Sequence, residues 1–373
     1  MGLLTDLIEE TSKYQNIVPS KAYSNKKFLE FELNSCFQNS PRYIGHELMV
    51  PDSGDFITLT HEKHSRALVR NNDEIVLISN ICKHRQATIL EGKGKVNSIV
   101  CPLHRWTYNL SGELIGTPHF THPPHKHLER TPLFNWNGLL FEKESQINSI
   151  LKKNPFADYF NFDRFVFSNI NTHICNYNWK TFVEVYLDDY HVEAFHPGLG
   201  SFVNCNNLSW HFEKQFSVQA VGLSDLNKPT TPTYRKWNDS VIKSLGKKPP
   251  KFGAIWMLIY PNIMVEWYPE TIVISTIHPL AVDKTLNITE FYYSEDVALF
   301  EKEFIKNQQN AYNETVLEDD EIAIRIDRGR NILAQKNLNE NGPYHDLLEA
   351  GIPHFYKYLS QNCNGLYNLK TEI

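Results

Sequence analysis

The feature that most constrains this chain is a pair of short segments that each carry one thiol and one imidazole. They are Cys82-Lys83-His84 and, after sixteen intervening residues, Cys101-Pro102-Leu103-His104. Two thiolates and two imidazoles on two short loops can hold two metal ions in unlike surroundings. A [2Fe–2S] cluster with two cysteines on one iron and two histidines on the other needs that set, and imidazole in place of thiolate raises the reduction potential. Zinc accepts the same donors. Zinc fingers, however, group their ligands by type, Cys with Cys and His with His, whereas each loop here holds one of each. Four unrelated core or loop residues are the remaining reading.

The two loops sit in a stretch of short β-like runs between Tyr43 and Trp136. Phe56–Thr60, Arg66–Arg70 and Glu74–Ile78 are apolar or alternating, and Asp52-Ser53-Gly54-Asp55 and Asn71-Asn72-Asp73 punctuate them as turns. Pro132–Phe141 reads as a closing hairpin. The texture changes after about residue 145. Trp179–Phe195 has an apolar stripe at helical spacing, Phe182, Val185, Tyr186 and Tyr190. Residues 224–252 are polar and proline-bearing and read as a long loop or lid. Strands are expected at Ala254–Tyr260, Ile263–Tyr268, Thr271–Ile277 and Leu286–Tyr293, in an order that suggests an antiparallel sheet. A long helix follows from about Glu295 to Arg328, and residues near Leu3, Leu4, Leu7 and Ile8 look helical. The expectation is an α+β chain with two domains. Residues 43–145 form a small all-β domain, and 1–42 with 146–373 form the other.

A second metal frame lies in that other domain. His191 and His196 stand five apart in Asp188-Asp189-Tyr190-His191-Val192-Glu193-Ala194-Phe195-His196-Pro197. An ideal helix does not put both on one side, but a helix that bulges or ends between them does. Two histidines and one carboxylate on one face of an Fe(II) leave positions open for O₂ and substrate. Asp188, three residues before His191, can reach it as a hydrogen-bond partner. A lone pair of histidines is more often structural; beside the first frame it becomes a site. Other gatherings carry less. His119, His122, His125 and His127 read as a surface loop, Cys175 and Cys205 as buried small side chains, and Trp106 and Tyr108 as packing beneath the cluster loop.

With these residues in hand, the chain resembles the Rieske non-haem iron oxygenases, α subunit. C-x-H-x16-C-x2-H with its flanks Asn80–Arg85 and Cys101–Tyr108 is similar to the Rieske signature, and Asn178-Trp179-Lys180 with Asp188-x2-His191-x4-His196 is similar to the mononuclear iron motif. The family usually has glycine where this chain has Gln86 and Arg105. Neither is a ligand, yet both bear on the hydrogen bonds around the cluster and on the surface an electron donor meets. The resemblance implies a Rieske [2Fe–2S] domain joined to a helix-flanked antiparallel sheet of the START-like type. It implies cluster ligands Cys82, His84, Cys101 and His104, and iron ligands His191 and His196. The third ligand is an acid about ten residues before a glycine. Counting back from Gly329 gives Asp319, with Asp320 and Glu318 as alternatives.

The same resemblance implies the chemistry. A separate reductase, with or without a ferredoxin, passes electrons from NAD(P)H to the cluster, and the mononuclear iron activates O₂ beside a small organic substrate. It further implies a homotrimer in which Asp188 links His191 to His104 of a neighbouring copy. Asn178–Phe182, Tyr186-Leu187-Asp188 and Tyr260–Met264 look like the choline and glycine betaine monooxygenase branch, which implies hydroxylation or N-demethylation of an amine. The alternatives are an aromatic ring-hydroxylating dioxygenase and, in another class, a non-catalytic Rieske electron-transfer protein. The latter would lack His191, His196 and a distal acid.

Composition removes other classes. A net charge of -6 on 373 residues gives no reason to expect nucleic acid. No run approaches the roughly 18 apolar residues of a membrane span, and no signal peptide is visible. Six cysteines in a chain this long do not make a disulfide framework, so the expectation is a soluble protein of a reducing cytoplasm. No glycine-rich dinucleotide loop follows a strand, so reducing equivalents must come from another protein.

Overall fold

The short alternating runs ahead of residue 145 become strands in the computed structural model, which describes residues 18–62, 65–122, 124–142, 151–246, 249–340, 342–363 and 367. The chain divides into two units, Pro41–Asn148 and Met1–Ser40 with Ser149–Ile373. The expected helix around Leu3–Ile8 lies outside the described residues.

In the smaller unit the strands are β1 (Arg42–His46), β2 (Asp55–Thr58), β3 (Arg66–Asn71), β4 (Glu74–Ser79), β5 (Lys93–Lys95), β6 (Ile99–Val100), β7 (Thr107–Tyr108), β8 (Leu114–Gly116), β9 (Arg130–Thr131), β10 (Leu133–Trp136) and β11 (Leu139–Glu142). They form three antiparallel sheets, β5-β2-β3-β4-β9, β1-β11-β10 and β6-β7-β8. The closing hairpin β10–β11 turns on Asn137 (φ +47°) and Gly138 (φ +86°), the two left-handed residues of a tight hairpin turn. A Cβ on Gly138 would lie 2.3 Å from the His46 ring, so glycine is required there. Phe56, Val69, Val76, Ile78, Ile99 and Tyr108 make the core, and Cys82 and Cys101 are part of it.

The larger unit is built on one antiparallel sheet of seven strands: β12 (Phe165–Cys175), β13 (Val203–Glu213), β14 (Phe216–Leu223), β15 (Phe252–Ile259), β16 (Ile263–Tyr268), β17 (Thr271–Ala281) and β18 (Lys284–Ser294). Their spatial order is β12-β18-β17-β16-β15-β14-β13. Its helices are α1 (Lys26–Glu32), α2 (Trp179–Tyr186), α3 (Val192–Phe195), α4 (Pro197–Phe202), α5 (Pro232–Leu245), α6 (Glu295–Phe300), α7 (Lys302–Gln335) and α8 (Gly351–Asn362).

Three expectations are corrected here. The helix expected over Trp179–Phe195 stops at Tyr186 and restarts at Val192. The Asp188 carboxylate accepts from the backbone N–H groups of Tyr190 (2.8 Å) and His191 (3.2 Å), which holds a turn where a helix would continue. Tyr190 accordingly leaves the apolar stripe and is exposed. The polar stretch 224–252 is not one loop, because α5 lies inside it. Thr231 caps that helix by accepting from Tyr234 N–H, and Pro232 occupies its first position, a start signal readable in Thr-Pro. The long helix expected from Glu295 breaks at Glu301 into α6 and α7.

Helix α7 is fastened to α2 by charged and polar groups. Asp327 accepts from Asn178 N–H at 2.6 Å and from the Thr181 hydroxyl, and Arg330 donates to Thr181 (2.9 Å) and pairs with Glu184 (2.5 Å). Lys180 and Glu32 of α1 form an ion pair at 2.8 Å with both side chains fully buried, and Trp179 Nε1–H donates to the same carboxylate at 2.8 Å. The Asn-Trp-Lys segment thus serves as an anchor between helices. A disulfide joins Cys36 to Cys363; the sparse cysteine count had suggested no such bond.

Candidate active site

The two cluster-type loops are built alike. Cys82 N–H donates to Ala87 O at 2.9 Å and Cys82 O accepts from Gln86 N–H at 3.1 Å; Cys101 N–H donates to Trp106 O at 2.8 Å and Cys101 O accepts from Arg105 N–H at 3.1 Å. Each loop turns back through a left-handed residue, Gln86 at φ +57° and Arg105 at φ +58°. Both thiols are buried, and the His84 and His104 ring centroids lie 4.8 Å apart. The His84 ring stacks on Trp106 at 4.7 Å, and its buried Nδ1 has no hydrogen-bond partner among the described residues. Lys83 N–H donates to the Tyr108 hydroxyl at 3.2 Å, and that hydroxyl lies 3.6 Å from Cys82 Sγ. Burial pushes the Cys82 thiol up. The backbone N–H of His84, the Tyr108 hydroxyl and Cys101 outweigh it, and the net shift is downward, toward thiolate. An orphaned imidazole nitrogen beside a second imidazole and two buried thiols fits a cluster held by two cysteines and two histidines.

The second frame closes in the larger unit. His191 precedes the single turn α3 and His196 follows it, at φ -109° and ψ 81°, where the chain bends into α4. One helical turn between two bends brings Nε2 of His191 and Nε2 of His196 to 3.0 Å. Asp319 of α7 sets Oδ1 at 2.9 Å from the His196 Nε2 and 3.5 Å from the His191 Nε2. Three donors in adjacent octahedral positions, with bonds of about 2.1 Å, would stand about 3 Å from one another. The observed spacing therefore fits a facial divalent-ion site.

The neighbouring acids of α7 point elsewhere. Glu318 lies 2.7 Å from Nδ1 of His196. Asp320 faces the end of β12, where Nε2 of His173 (2.5 Å) and, just past the strand, the Tyr177 hydroxyl (2.9 Å) meet it. On the His191 side, Asp188 Oδ2 lies 3.4 Å from Nδ1. Nδ1 of His196 thus has a carboxylate partner, the arrangement that sets the tautomer of a metal-ligating imidazole, while Nδ1 of His191 has a carboxylate nearby but no hydrogen bond. Burial alone would hold His191 neutral, but Asp188 and Asp319 overcome it and push the imidazole up to about 10. Burial raises the Asp319 carboxyl and the two imidazoles lower it, with a net shift downward. The position favours a cation.

These groups open onto a cavity of about 110 Å³. Its wall includes Tyr186, Tyr234, Trp237, Trp256, Tyr268 and Tyr312, together with two further acids, Asp189 and Glu266. Asp189 is buried and its Oδ2 has no hydrogen-bond partner among the described residues; burial and then Asp188 push its carboxyl up to about 8. Sequence reasoning missed both acids. Glu266 carried a signal, a lone acid inside the apolar run Ile263–Tyr268. Asp189 carried none that separated it from Asp188. It also missed α5, which supplies Tyr234 and Trp237.

Comparison with known proteins agrees with this geometry. Residues 41–132 match the Rieske [2Fe–2S] domain, and residues 158–365 match the ring-hydroxylating α subunit, catalytic domain. The chain is 49% identical over 350 residues to putrescine 2-hydroxylase of Ralstonia nicotianae, covering 92% of this chain and 96% of that protein. It is 41% identical over 387 residues to putrescine 2-hydroxylase of Bordetella bronchiseptica, covering 96% and 87%. A solved quaternary ammonium Rieske monooxygenase, described for carnitine oxidation, superposes with a TM-score of 0.72 at 19% identity over 92% of this chain and 94% of that one. The chain therefore belongs to the Rieske non-haem iron oxygenases as an α subunit, an enzyme that uses a [2Fe–2S] cluster, a mononuclear iron, O₂ and electrons from a separate protein to oxidise a small organic substrate.

Proposed function

We propose that this oxygenase hydroxylates a carbon of a small aliphatic diamine resembling 1,4-diaminobutane, at an iron held by His191, His196 and Asp319. The observation that carries the reading is the cavity itself: three donor atoms about 3 Å apart open onto a space walled by aromatic rings and two more buried carboxylates. A space of about 110 Å³ takes a molecule of few heavy atoms, since one water occupies about 10–15 Å³ by this measure. Buried acids welcome cationic groups and penalise an apolar ring, which favours an amine over an aromatic hydrocarbon. The names of the 49% and 41% identical relatives point the same way.

An iron held by His191, His196 and Asp319 would supply O₂ activation. The chain's own residues do the rest. Glu318 accepts the Nδ1 proton of His196, and Asp188 lies against Nδ1 of His191, so each ring presents Nε2. The rings of Tyr234, Trp237 and Trp256 keep the reacting carbon away from bulk water. Cys82, His84, Cys101 and His104 would hold the cluster. The active form we infer is a homotrimer in the cytoplasm, fed from NAD(P)H through a reductase. In it Asp188 links His191 to His104 of a neighbouring copy; His104 is exposed on its loop, along with Leu103 and Arg105.

The test combines metal analysis with turnover. Anaerobically prepared protein should show the Rieske electron paramagnetic resonance signal plus mononuclear iron. His191→Ala should lose the mononuclear iron and keep the signal. With a competent reductase, 1,4-diaminobutane should gain one oxygen atom. Zinc as the only metal, or failure of any amine to support coupled O₂ uptake, would sink the proposal.

A further inference from the structure

Glu266 is a carboxylate without a cationic partner among the described residues. It lies on the sheet in a row that runs Gln219–Trp256–Glu266–Val273–Phe291 across β14, β15, β16, β17 and β18, and it is buried in the cavity wall. Its Oε2 accepts from the Tyr268 hydroxyl at 2.8 Å and its Oε1 from the Tyr312 hydroxyl at 3.4 Å. Trp256 Nε1–H donates to Tyr268 Oη at 2.9 Å, completing a relay that orients the acid. Among the described residues no Lys, Arg or His pairs with Glu266, and another acid, Asp319, acts on it electrostatically. Burial pushes its carboxyl up to about 7, and the two tyrosines offset this only in part.

A buried acid in this setting is costly unless a cation compensates it. Packing gives no reason for it, since its neighbours in the row are Trp256 and Val273. An ionised carboxylate has about four lone-pair sites, and the two tyrosines use one on each oxygen. The others are open to a donor in the cavity. We propose that Glu266 is the ammonium-binding residue of this oxygenase. Its carboxylate pairs with a protonated primary amino group, and the rings of Trp256, Tyr268 and Tyr312 lie against the cation and its adjoining methylene groups. This rests on the amine reading and deepens it.

The chemistry of the pocket narrows the amine. A quaternary ammonium has no N–H, so aromatic faces and charge attraction hold it without any hydrogen bond. A primary ammonium has three N–H donors and needs acceptors. A fixed carboxylate, oriented by two hydroxyls, answers the second need. Glu266 thus marks the pocket for primary amines over quaternary ones.

Calorimetric titration of the anaerobic holoenzyme tests this, with 1,4-diaminobutane and choline as probes. The unsubstituted enzyme should bind the diamine more tightly than choline. Glu266→Gln keeps the shape and removes the charge, so diamine affinity should fall about 30-fold or more, the effect of unpairing a buried charge. Choline affinity should change far less, a split that a merely structural role would not produce. Should Glu266→Gln fail to hold its metals, Tyr268→Phe replaces it, with a several-fold loss expected for the diamine. Unchanged diamine affinity in a metal-replete variant, or equal losses for both probes, overturns the Glu266 assignment while the amine reading stands. An unsubstituted holoenzyme that binds no primary amine overturns both.

Discussion

Two residues at the cluster loops carry backbone conformations that side chains disfavour. Gln86 and Arg105 sit at φ +57° and φ +58°, where a non-glycine residue costs roughly 1–2 kcal/mol. The related pattern has glycine at both places, and the left-handed turn gives the physical reason. Gln86→Gly and Arg105→Gly should therefore each stabilise the smaller unit, by about 1 kcal/mol less the entropy glycine gains in the unfolded chain. Thermal unfolding of the cluster-loaded protein followed at the visible cluster band checks it; a lower melting temperature in both variants would contradict the strain account. The candidate ligand residues were legible because few side chains can bind iron. Asp319 was legible only within a run of four acids, Glu318–Glu321. The helix sends Glu318 to His196 Nδ1, Asp320 to His173 and Asp319 to both Nε2 atoms, a division that depends on what packs on each side.

At the scale of elements, buried polar pairs tie α2 to α7 through Asp327 and Arg330 and to α1 through Glu32. The Lys180–Glu32 pair is fully buried. Removing one partner of such a pair leaves an uncompensated charge and costs about 3–5 kcal/mol. Lys180→Met should lower stability by that order, read in denaturant unfolding of the larger unit, and the double change with Glu32→Gln should recover part of it. Strands β15 to β18 were readable as short apolar runs rich in β-branched and aromatic residues. The single-turn helix α3 was not, since the stripe that suggested one helix continues past Tyr186. The backbone departs because Asp188 captures two N–H groups. That break brings the two imidazoles together.

For the whole molecule, Asp188 holds a turn with Oδ1 and reaches His191 with Oδ2. In the proposed trimer it also faces a neighbour's His104. Asp188→Asn should leave both metals in place and slow reoxidation of the reduced cluster by about 10–100-fold, the scale on which such outer partners act. Rapid-mixing absorption measurements would register this, and an unchanged rate would remove the link. The sequence by itself determined the metal chemistry and the division of labour between two domains, because thiol, imidazole and carboxylate donors at set spacings admit few uses. Only the tertiary structure decided which acid of α7 lies between the two imidazoles, that Asp189 and Glu266 face the cavity, and that α5 helps to wall it. Those outcomes depend on how a helix, a turn and a sheet face one another across space, and residues far apart in the chain carry no local mark of the partners they will meet.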